Sequence, residues 1–188
     1  MVAPANNAVD RLLAALPTRG EGGARFAELG FPTTREEDWR FTSVAPIAEL
    51  EFTAAKADAT ASLDGCVFSE IDGPQLVFVN GHFSSELSSV GELPAGVEIG
   101  NLAAAACEPC EAEDAFGALN AASFTDGAWV RVADGVSFDS PIRIYFLSTG
   151  GDGRRCCTPS CKCLSGGRDF QRTSLNVQTA RGNSCVWK

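Results

Sequence analysis

Apolar residues recur with helical spacing close to the N-terminus. Four of them lie at i, i+3, i+4 and i+7, namely Val9, Leu12, Leu13 and Leu16. This spacing puts all four on one face of an α-helix. Asn7 is a candidate N-cap before them, and Pro17 follows them at a position where a helix ends. The pattern predicts a short amphipathic helix that packs against a core.

Three further segments favour helices. Residues 24–29 are followed by Gly30, and glycine is the residue type that best fits the position after a helix. Residues 101–106 and 113–122 also predict helices, with Leu102, Phe116 and Leu119 facing inward. The cluster of glycines at positions 20, 22 and 23 predicts a linker. It is not a phosphate-binding loop, because no Gly-Lys-Ser/Thr follows it.

The other apolar runs are short and predict strands. Residues 76–79 precede Asn80-Gly81, a strong hairpin signal because both residues tolerate positive φ. Three more strands are predicted at residues 129–132, 136–138 and 142–147. Short, closely spaced strands are typical of a sandwich, a barrel or a β-solenoid, and the pattern alone leaves all three open.

Within the later strands, the pattern divides residues between core and solvent. The predicted core residues are Trp129, Val130, Val132, Val136, Ile142, Ile144 and Phe146. Arg131 and Arg143 interrupt the apolar runs at positions of an outward face. Asp126 and Asp134 each precede a glycine, and we interpret both as turn formers rather than as paired catalytic acids.

Charge divides the chain of 188 residues into two parts. Residues 1–150 carry 8 Lys+Arg and 22 Asp+Glu, a net charge of −14, whereas residues 151–188 carry 7 and 2, a net charge of +5. The acidic part argues against nucleic acid or an anionic membrane as a partner. No apolar run reaches the roughly 18 residues that span a bilayer, and no signal peptide is recognisable. We therefore expect a cytoplasmic protein.

The tail, residues 151–188, differs from the rest in composition. It combines most of the cysteines with many arginines, and it has neither a sustained strand alternation nor a helical stripe. We expect this tail to be disordered or translated out of frame. Sequencing the DNA across codons 145–160 tests the second possibility, because another frame should then continue with β-rich sequence.

Cysteines are the candidate metal ligands. Five of the eight lie in the tail, namely Cys156, Cys157, Cys161, Cys163 and Cys185. Structural zinc sites combine two pairs at C-x₂₋₄-C spacing, whereas Cys161 and Cys163 are too close and the tail has no histidine. We assign no metal ligand here. A small metal- or redox-binding protein that uses these thiols remains an alternative function.

The remaining thiols and the single histidine give no catalytic constellation. Cys107 and Cys110 form a C-x-x-C, but acidic neighbours disfavour a reactive thiolate. Cys66 is interpreted as a small buried or half-buried residue. His82 follows the Asn-Gly turn, and we predict a solvated turn residue because nothing in the sequence pairs it with a nucleophile. We therefore assign no catalytic residue.

The most distinctive stretch is GFPTTREEDWRFTSVAPIAEL at residues 30–50. Thr33 or Thr34 can cap a first helical turn, with Glu36 and Glu37 at capping-box spacing. Pro46 limits how far that helix can run. This interpretation makes the stretch a capped element that docks onto a core.

Two aromatic residues of the same stretch, Trp39 and Phe41, are predicted anchors, because aromatic side chains bury large areas. The alternative is that the stretch forms a partner-facing surface. Such aromatic residues more commonly anchor a segment to the core of their own domain. The sequence leaves open that they face a partner instead.

Residues 30–50 resemble the N-terminal signature of the SufB/SufD family, and of its SufD-type members in particular. The resemblance continues in QLVFVNGHFSSELSSV at 75–90, in LPAGVEIGNLAAA at 93–105 and in DAFGALNAASFTDGAWVRVADGVSFDSPIRIYFLS at 114–148. It covers most of residues 9–148 and none of the tail.

This resemblance implies an α+β fold. A small N-terminal helical/α+β region at residues 1–122 would lead into the start of a right-handed parallel β-helix at residues 123–150, which is truncated there. It also implies the N-terminal fragment of a non-catalytic scaffold subunit of iron–sulfur cluster assembly, not an enzyme. When full length, that subunit acts with a SufB-like subunit and a SufC-like ATPase, and the resemblance implies that its contacts to both are largely missing from this chain.

A transient iron–sulfur cluster is implied for the full-length complex only, since no cluster-holding position of the family falls on this chain. A fragment of a β-solenoid enzyme is the remaining alternative.

Overall fold

The structure is a computed structural model that describes residues 5–18, 21–64, 70–105 and 114–149, with four short strands between residues 155 and 184. For residues 5–7 and for those four strands it describes the backbone alone. The helices are α1 (Ala5–Ala15), α2 (Gly22–Leu29), α3 (Ala45–Ala48), α4 (Leu102–Ala105) and α5 (Ala115–Ser123), with a 3-10 turn at Glu37–Trp39. The strands are β1 (Thr53–Ala54), β2 (Gln75–Val79), β3 (His82–Phe83), β4 (Val97–Asn101), β5 (Gly127–Val132), β6 (Arg143–Leu147), β7 (Arg155–Cys156), β8 (Ser160–Ser165), β9 (Asn176–Thr179) and β10 (Asn183–Ser184).

These elements form an α+β fold that divides into two compact units. The helical unit contains α1, α2, α3 and α5 with β1 and β7, and the strand unit contains α4 and the other strands. Among the described helices, none combines the length and the hydrophobicity needed to cross a bilayer.

The helical unit is built around the predicted stripe of α1. Its buried residues are Val9, Leu12 and Leu16 of α1, Phe26 of α2, and Ala115, Ala118 and Leu119 of α5, with Leu13 and Phe116 partly buried against them. The predicted helices at 24–29 and 113–122 are confirmed as α2 and α5. The predicted N-cap is wrong, because α1 begins at Ala5 and Asn7 therefore lies inside its first turn.

The predicted glycine linker is also wrong in part, because α2 begins at Gly22. A methyl group on Gly22 would lie 2.7 Å from the backbone nitrogen of Ala122 and 2.8 Å from the carbonyl oxygen of Ala118. The missing side chain thus lets the backbones of α2 and α5 approach closely. At the other end, Gly30 has the positive φ of +69° expected after a helix, and its N–H donates to the carbonyl of Phe26.

The strand unit contains two sheets. One has the order β10-β9-β6-β2-β3 and the other the order β4-β5-β8. β6 runs parallel to both β2 and β9, and β5 runs parallel to β8 and antiparallel to β4. The predicted hairpin is confirmed: β2 and β3 pair antiparallel around Asn80 and Gly81, whose φ angles are +53° and +83°.

Both faces of β2 and β6 are buried, as is usual for parallel strands. The larger cluster consists of Leu76, Phe78, Val97, Ala128, Val130, Val132, Ile142, Ile144 and Phe146. The smaller cluster, on the opposite face, consists of Val77, Val79, Tyr145 and Leu147, with Ala61, Leu63 and Leu87 packed against it. Phe78 is fully buried in the larger cluster, and its ring centroid lies 5.2 Å from that of Phe146.

Two predictions for the later strands are corrected. Residues 136–138 are not a strand: they follow a turn at Gly135, and Val136 and Phe138 pack partly buried against the larger cluster without a ladder. Partly buried and exposed side chains alternate there as in a strand, but the backbone pairs with no other strand among the described residues. The alternation of apolar and polar residues therefore predicted a strand that does not form. Trp129 is half-buried rather than core, because it shares the outward face of β5 with Arg131.

Four strands lie in the tail, where the sequence pattern predicted none. β7 pairs parallel with β1, β8 with β5 and β9 with β6, and β10 pairs antiparallel with β9. Each of these strands pairs through its backbone with a strand that lies earlier in the sequence. Such pairing depends on the tertiary structure, so the local sequence pattern did not predict it. The hypothesis about the reading frame stays a prediction.

Candidate functional site

The most distinctive stretch of the sequence is also the most exposed. Between residues 31 and 50, which the structure describes without a gap, only Pro32 and Val44 are buried. Residues 33–51, here named the exposed segment, therefore run over the surface of the helical unit and are fixed to it at few points.

The start of the exposed segment forms part of the predicted capping box. The backbone N–H of Thr33 donates to a carboxylate oxygen of Glu36 at 2.8 Å, and the Thr33 hydroxyl accepts from the N–H of Arg35 at 3.3 Å. The element that follows is a 3-10 turn, Glu37–Trp39, instead of the predicted α-helix. Glu36 has an extended backbone and folds its carboxylate back onto Thr33, so that it stiffens a turn.

Trp39 anchors the exposed segment, as predicted. Its ring centroid lies 5.2 Å from that of Phe116, which lies 6.4 Å from that of Phe31. Phe31 in turn meets Phe26 edge to face at 5.3 Å. Tilted and edge-to-face pairs at these distances are favourable beyond the area they bury. A row of four aromatic rings therefore connects the exposed segment to the core of the helical unit.

Phe41 is not an anchor, and the prediction that it packs against another layer is wrong. Its side chain is 92% exposed. The backbone turns at this point, because the N–H of Thr42 donates to the carbonyl of Trp39 at 2.9 Å, and the turn points Phe41 outward. The guanidinium of Arg40 lies 5.5 Å from the Phe41 ring centroid, within the range of a cation–π contact.

The end of the exposed segment carries two more exposed apolar residues. Ile47 is 40% and Leu50 is 43% exposed, while Val44 is buried just before α3. Pro46 lies in the first turn of α3, so it begins a helix instead of limiting one, because a first-turn N–H has no helical partner to lose. Arg11 donates to the carbonyl of Ala48 at 3.3 Å and ties α3 to α1.

The charge of the exposed segment is acidic. Five acids, Glu36, Glu37, Asp38, Glu49 and Glu51, outnumber two arginines, Arg35 and Arg40, and all seven are exposed. Arg40 and Glu37 approach to 4.0 Å, a separation at which a solvated ion pair is weak. The segment therefore presents apolar side chains within a negative field, an arrangement that can bind a basic protein surface with apolar side chains of its own.

A model for the SufBD protein N-terminal region matches residues 11–144. The chain belongs to the SufBD family. It is also 31% identical over 133 residues to an iron–sulfur cluster assembly SufBD family protein of Synechocystis sp., in an alignment that covers 64% of this chain and 29% of that protein. The chain thus spans less than a third of the length of this relative. The resemblance drawn from residues 30–50 is confirmed at the level of the family.

In this SufBD family member the two predicted turn aspartates differ. Asp134 lies in a turn with Gly135, as predicted. Asp126 is only 7% exposed, and its carboxylate accepts from the Asn101 amide at 2.6 Å, the Ala103 N–H at 3.0 Å and the Gly127 N–H at 2.8 Å. It therefore joins β5 to the start of α4. An Asp-Gly pair carries no sequence signal for such a role.

His82 and the cysteines complete the set of predicted site residues. His82 is half-buried on β3 opposite Val79, so the prediction of a solvated turn residue is wrong. Cys156 lies on β7, and Cys161 and Cys163 lie on β8, paired in register with Ala128 and Val130. The other cysteines, Cys66, Cys107, Cys110, Cys157 and Cys185, lie outside the described residues. Within the described part of the sequence, no three His, Cys, Asp or Glu residues group as metal ligands would.

Proposed function

We propose that this chain forms the N-terminal part of a SufD-type scaffold subunit for iron–sulfur cluster assembly. The observation that carries the proposal is the family match over residues 11–144. The subunit is non-catalytic and cytoplasmic, and it works in a complex with a SufB-like subunit and a SufC-like ATPase. The cluster is the cargo of the whole complex, and we assign no cluster ligand to this subunit.

We further propose that the strand unit is the beginning of a right-handed parallel β-helix. Two parallel pairs support this fold. Gly127 pairs with Ser160 and Arg143 pairs with Asn176, so that both pairs are offset by 33 residues. A polypeptide that returns to two different strands with one offset forms one regular coil, the repeating unit of a solenoid. The parallel pair of β2 and β6 has a different offset, since Gln75 pairs with Arg143.

Within this function, the exposed segment is the surface that binds a basic, apolar patch on another subunit of the complex. Charge complementarity supports this occupant, because the exposed segment carries five acids against two arginines. Its apolar residues, Phe41, Ile47 and Leu50, are exposed without a cover among the residues that the structure describes. Apolar anchors surrounded by charge are typical of the centre and rim of protein interfaces.

The first test is co-purification of the tagged chain, as part of a full-length SufD-type subunit, with the SufB-like and SufC-like proteins of its own source. Retention of either subunit is expected, and retention of neither would overturn the scaffold function. The second test uses Phe41→Ser and Ile47→Ser. Each should weaken the retained complex by about tenfold, since exposed anchors at an interface carry most of its affinity.

Leu29→Ser is the matched control, because Leu29 is 40% exposed like Ile47 but lies outside the exposed segment. It should leave affinity unchanged. If the complex forms and all three variants bind equally well, the scaffold function stands and the docking surface is wrong. Circular dichroism of each variant checks that the fold is kept.

A further inference from the structure

Asn80-Gly81 is the one Asn-Gly dipeptide of the sequence. An asparagine before glycine is prone to deamidation, because glycine has no side chain to shield its backbone nitrogen from the asparagine amide carbon. In this protein the dipeptide forms the turn between β2 and β3, and Asn80 is only 2% exposed. A reactive dipeptide thus lies in a buried position.

The side chain of Asn80 is held on both of its polar atoms. Its Nδ2 donates to the carbonyl of Lys56 and to the Thr149 hydroxyl, each at 2.9 Å, and its Oδ1 accepts from the Thr149 N–H at 2.8 Å. The Asn80 backbone N–H donates to the carbonyl of Leu147 at 2.8 Å. These bonds join three stretches of the strand unit that are far apart in sequence.

We propose that Asn80 is a latent deamidation site that the folded strand unit keeps closed and that unfolding opens. In the reaction, the Gly81 nitrogen loses its proton and bonds to the Asn80 amide carbon. The bond between that carbon and Nδ2 breaks, and the amino group takes up a proton and leaves as ammonia. Water then opens the cyclic imide to aspartate or isoaspartate. No oxidant or reductant takes part. In the folded protein, the three hydrogen bonds of the Asn80 amide must break before its carbon can turn toward Gly81.

The product cannot restore these contacts. A carboxylate at position 80 has no N–H to donate to the Lys56 carbonyl, and it would put a charge in a buried site. Isoaspartate would also lengthen the backbone inside the turn and shift the register of β2 with β3. Deamidation is therefore irreversible and occurs in molecules that have unfolded. A deamidated molecule cannot refold to the native strand unit.

The test compares folded protein with the same protein in urea at one pH and temperature. A glutamate-specific protease releases residues 71–86, in which isoaspartate and the mass change at Asn80 are measured over time. The folded protein should react at least about tenfold more slowly than the unfolded protein, since several hydrogen bonds must break first. The peptide that begins at Ile99 and contains Asn101, which is followed by leucine, serves as the internal control and should react slowly in both states.

Thr149→Val removes one acceptor of the Asn80 amide and should raise the rate in the folded state several-fold, with no change in urea. Thr125→Val is the matched control and should react like the wild type. If Thr149→Val does not fold, the wild type in graded urea replaces it, and its rate should follow the unfolded fraction. Equal rates in folded and unfolded protein would overturn the proposal.

Discussion

The helical unit and the strand unit are stabilised in different ways. In the helical unit, four aromatic rings, Phe26, Phe31, Phe116 and Trp39, follow one another at centroid distances of 5.2–6.4 Å and hold a largely exposed segment. In the strand unit, both faces of β2 and β6 are buried, and the polar side chains of Asn80 and Asp126 are buried with them. The helical unit leaves apolar side chains exposed to solvent, whereas the strand unit buries them.

This difference shows that residue type does not decide the role of a side chain. Phe41 and Phe78 are both phenylalanines, yet one is 92% exposed and the other is fully buried. The helical unit therefore carries the surface that we propose for docking. The strand unit should be the more sensitive of the two to substitution.

The largest expected effect is the contrast between Phe78→Ala and Phe41→Ala. Phe78→Ala should lower the free energy of unfolding by about 3–5 kcal/mol, because it opens a cavity in the larger cluster. Phe41→Ala should change it by less than about 0.5 kcal/mol, because the ring is in solvent. Urea unfolding followed by circular dichroism measures both. Equal losses would contradict the comparison between the two units.

A smaller contrast is expected between two aspartates of the strand unit. Asp126→Ala should lower the free energy of unfolding by about 3 kcal/mol. The substitution leaves the donors of Asn101, Ala103 and Gly127 without their buried acceptor. Asp134→Ala, in an exposed turn, should stay within about 0.5 kcal/mol of the wild type. Thermal unfolding of the two variants gives the ranking. If Asp134→Ala proved the more damaging, Asp126 would be only a turn former.

The smallest contrast concerns neighbouring glycines of the helical unit, where we expect opposite signs. Gly22→Ala should destabilise by about 1–3 kcal/mol, because its methyl group would clash with the backbone of α5. Gly23→Ala should stabilise by about 0.5–1 kcal/mol through helix propensity, since the nearest atom to its methyl group would be in Thr18 at 3.7 Å. Urea midpoints compare the pair. Stabilisation by both would show that α2 and α5 are not in close contact.

Several elements could be predicted because their causes are local. The stripe of α1 requires only helical spacing, and the β2–β3 hairpin requires only two residues that tolerate positive φ. The same holds for Gly30 after α2. The segment at residues 136–138 shows the limit of this reasoning, because alternating burial occurs there without a partner strand.

The candidate site was predictable only in part. The sequence of residues 30–50 identified the family and named Trp39 as an anchor, but it gave Phe41 the same role. Which of two nearby aromatic rings is buried depends on where the backbone turns and on whether Phe116 of α5 lies within reach, and α5 follows some eighty residues later. No local pattern contains that information.

By itself, the sequence determined the family, the amphipathic face of α1, the Asn-Gly turn and the acidic character of residues 1–150. Each depends on neighbouring residues or on composition. Only the tertiary structure decided that Asp126 joins β5 to α4, that Asn80 is held by Thr149 and Lys56, and that Phe41 faces solvent. The reason is physical: a polar side chain is satisfied, and an apolar one is covered, by groups that folding brings from distant parts of the sequence.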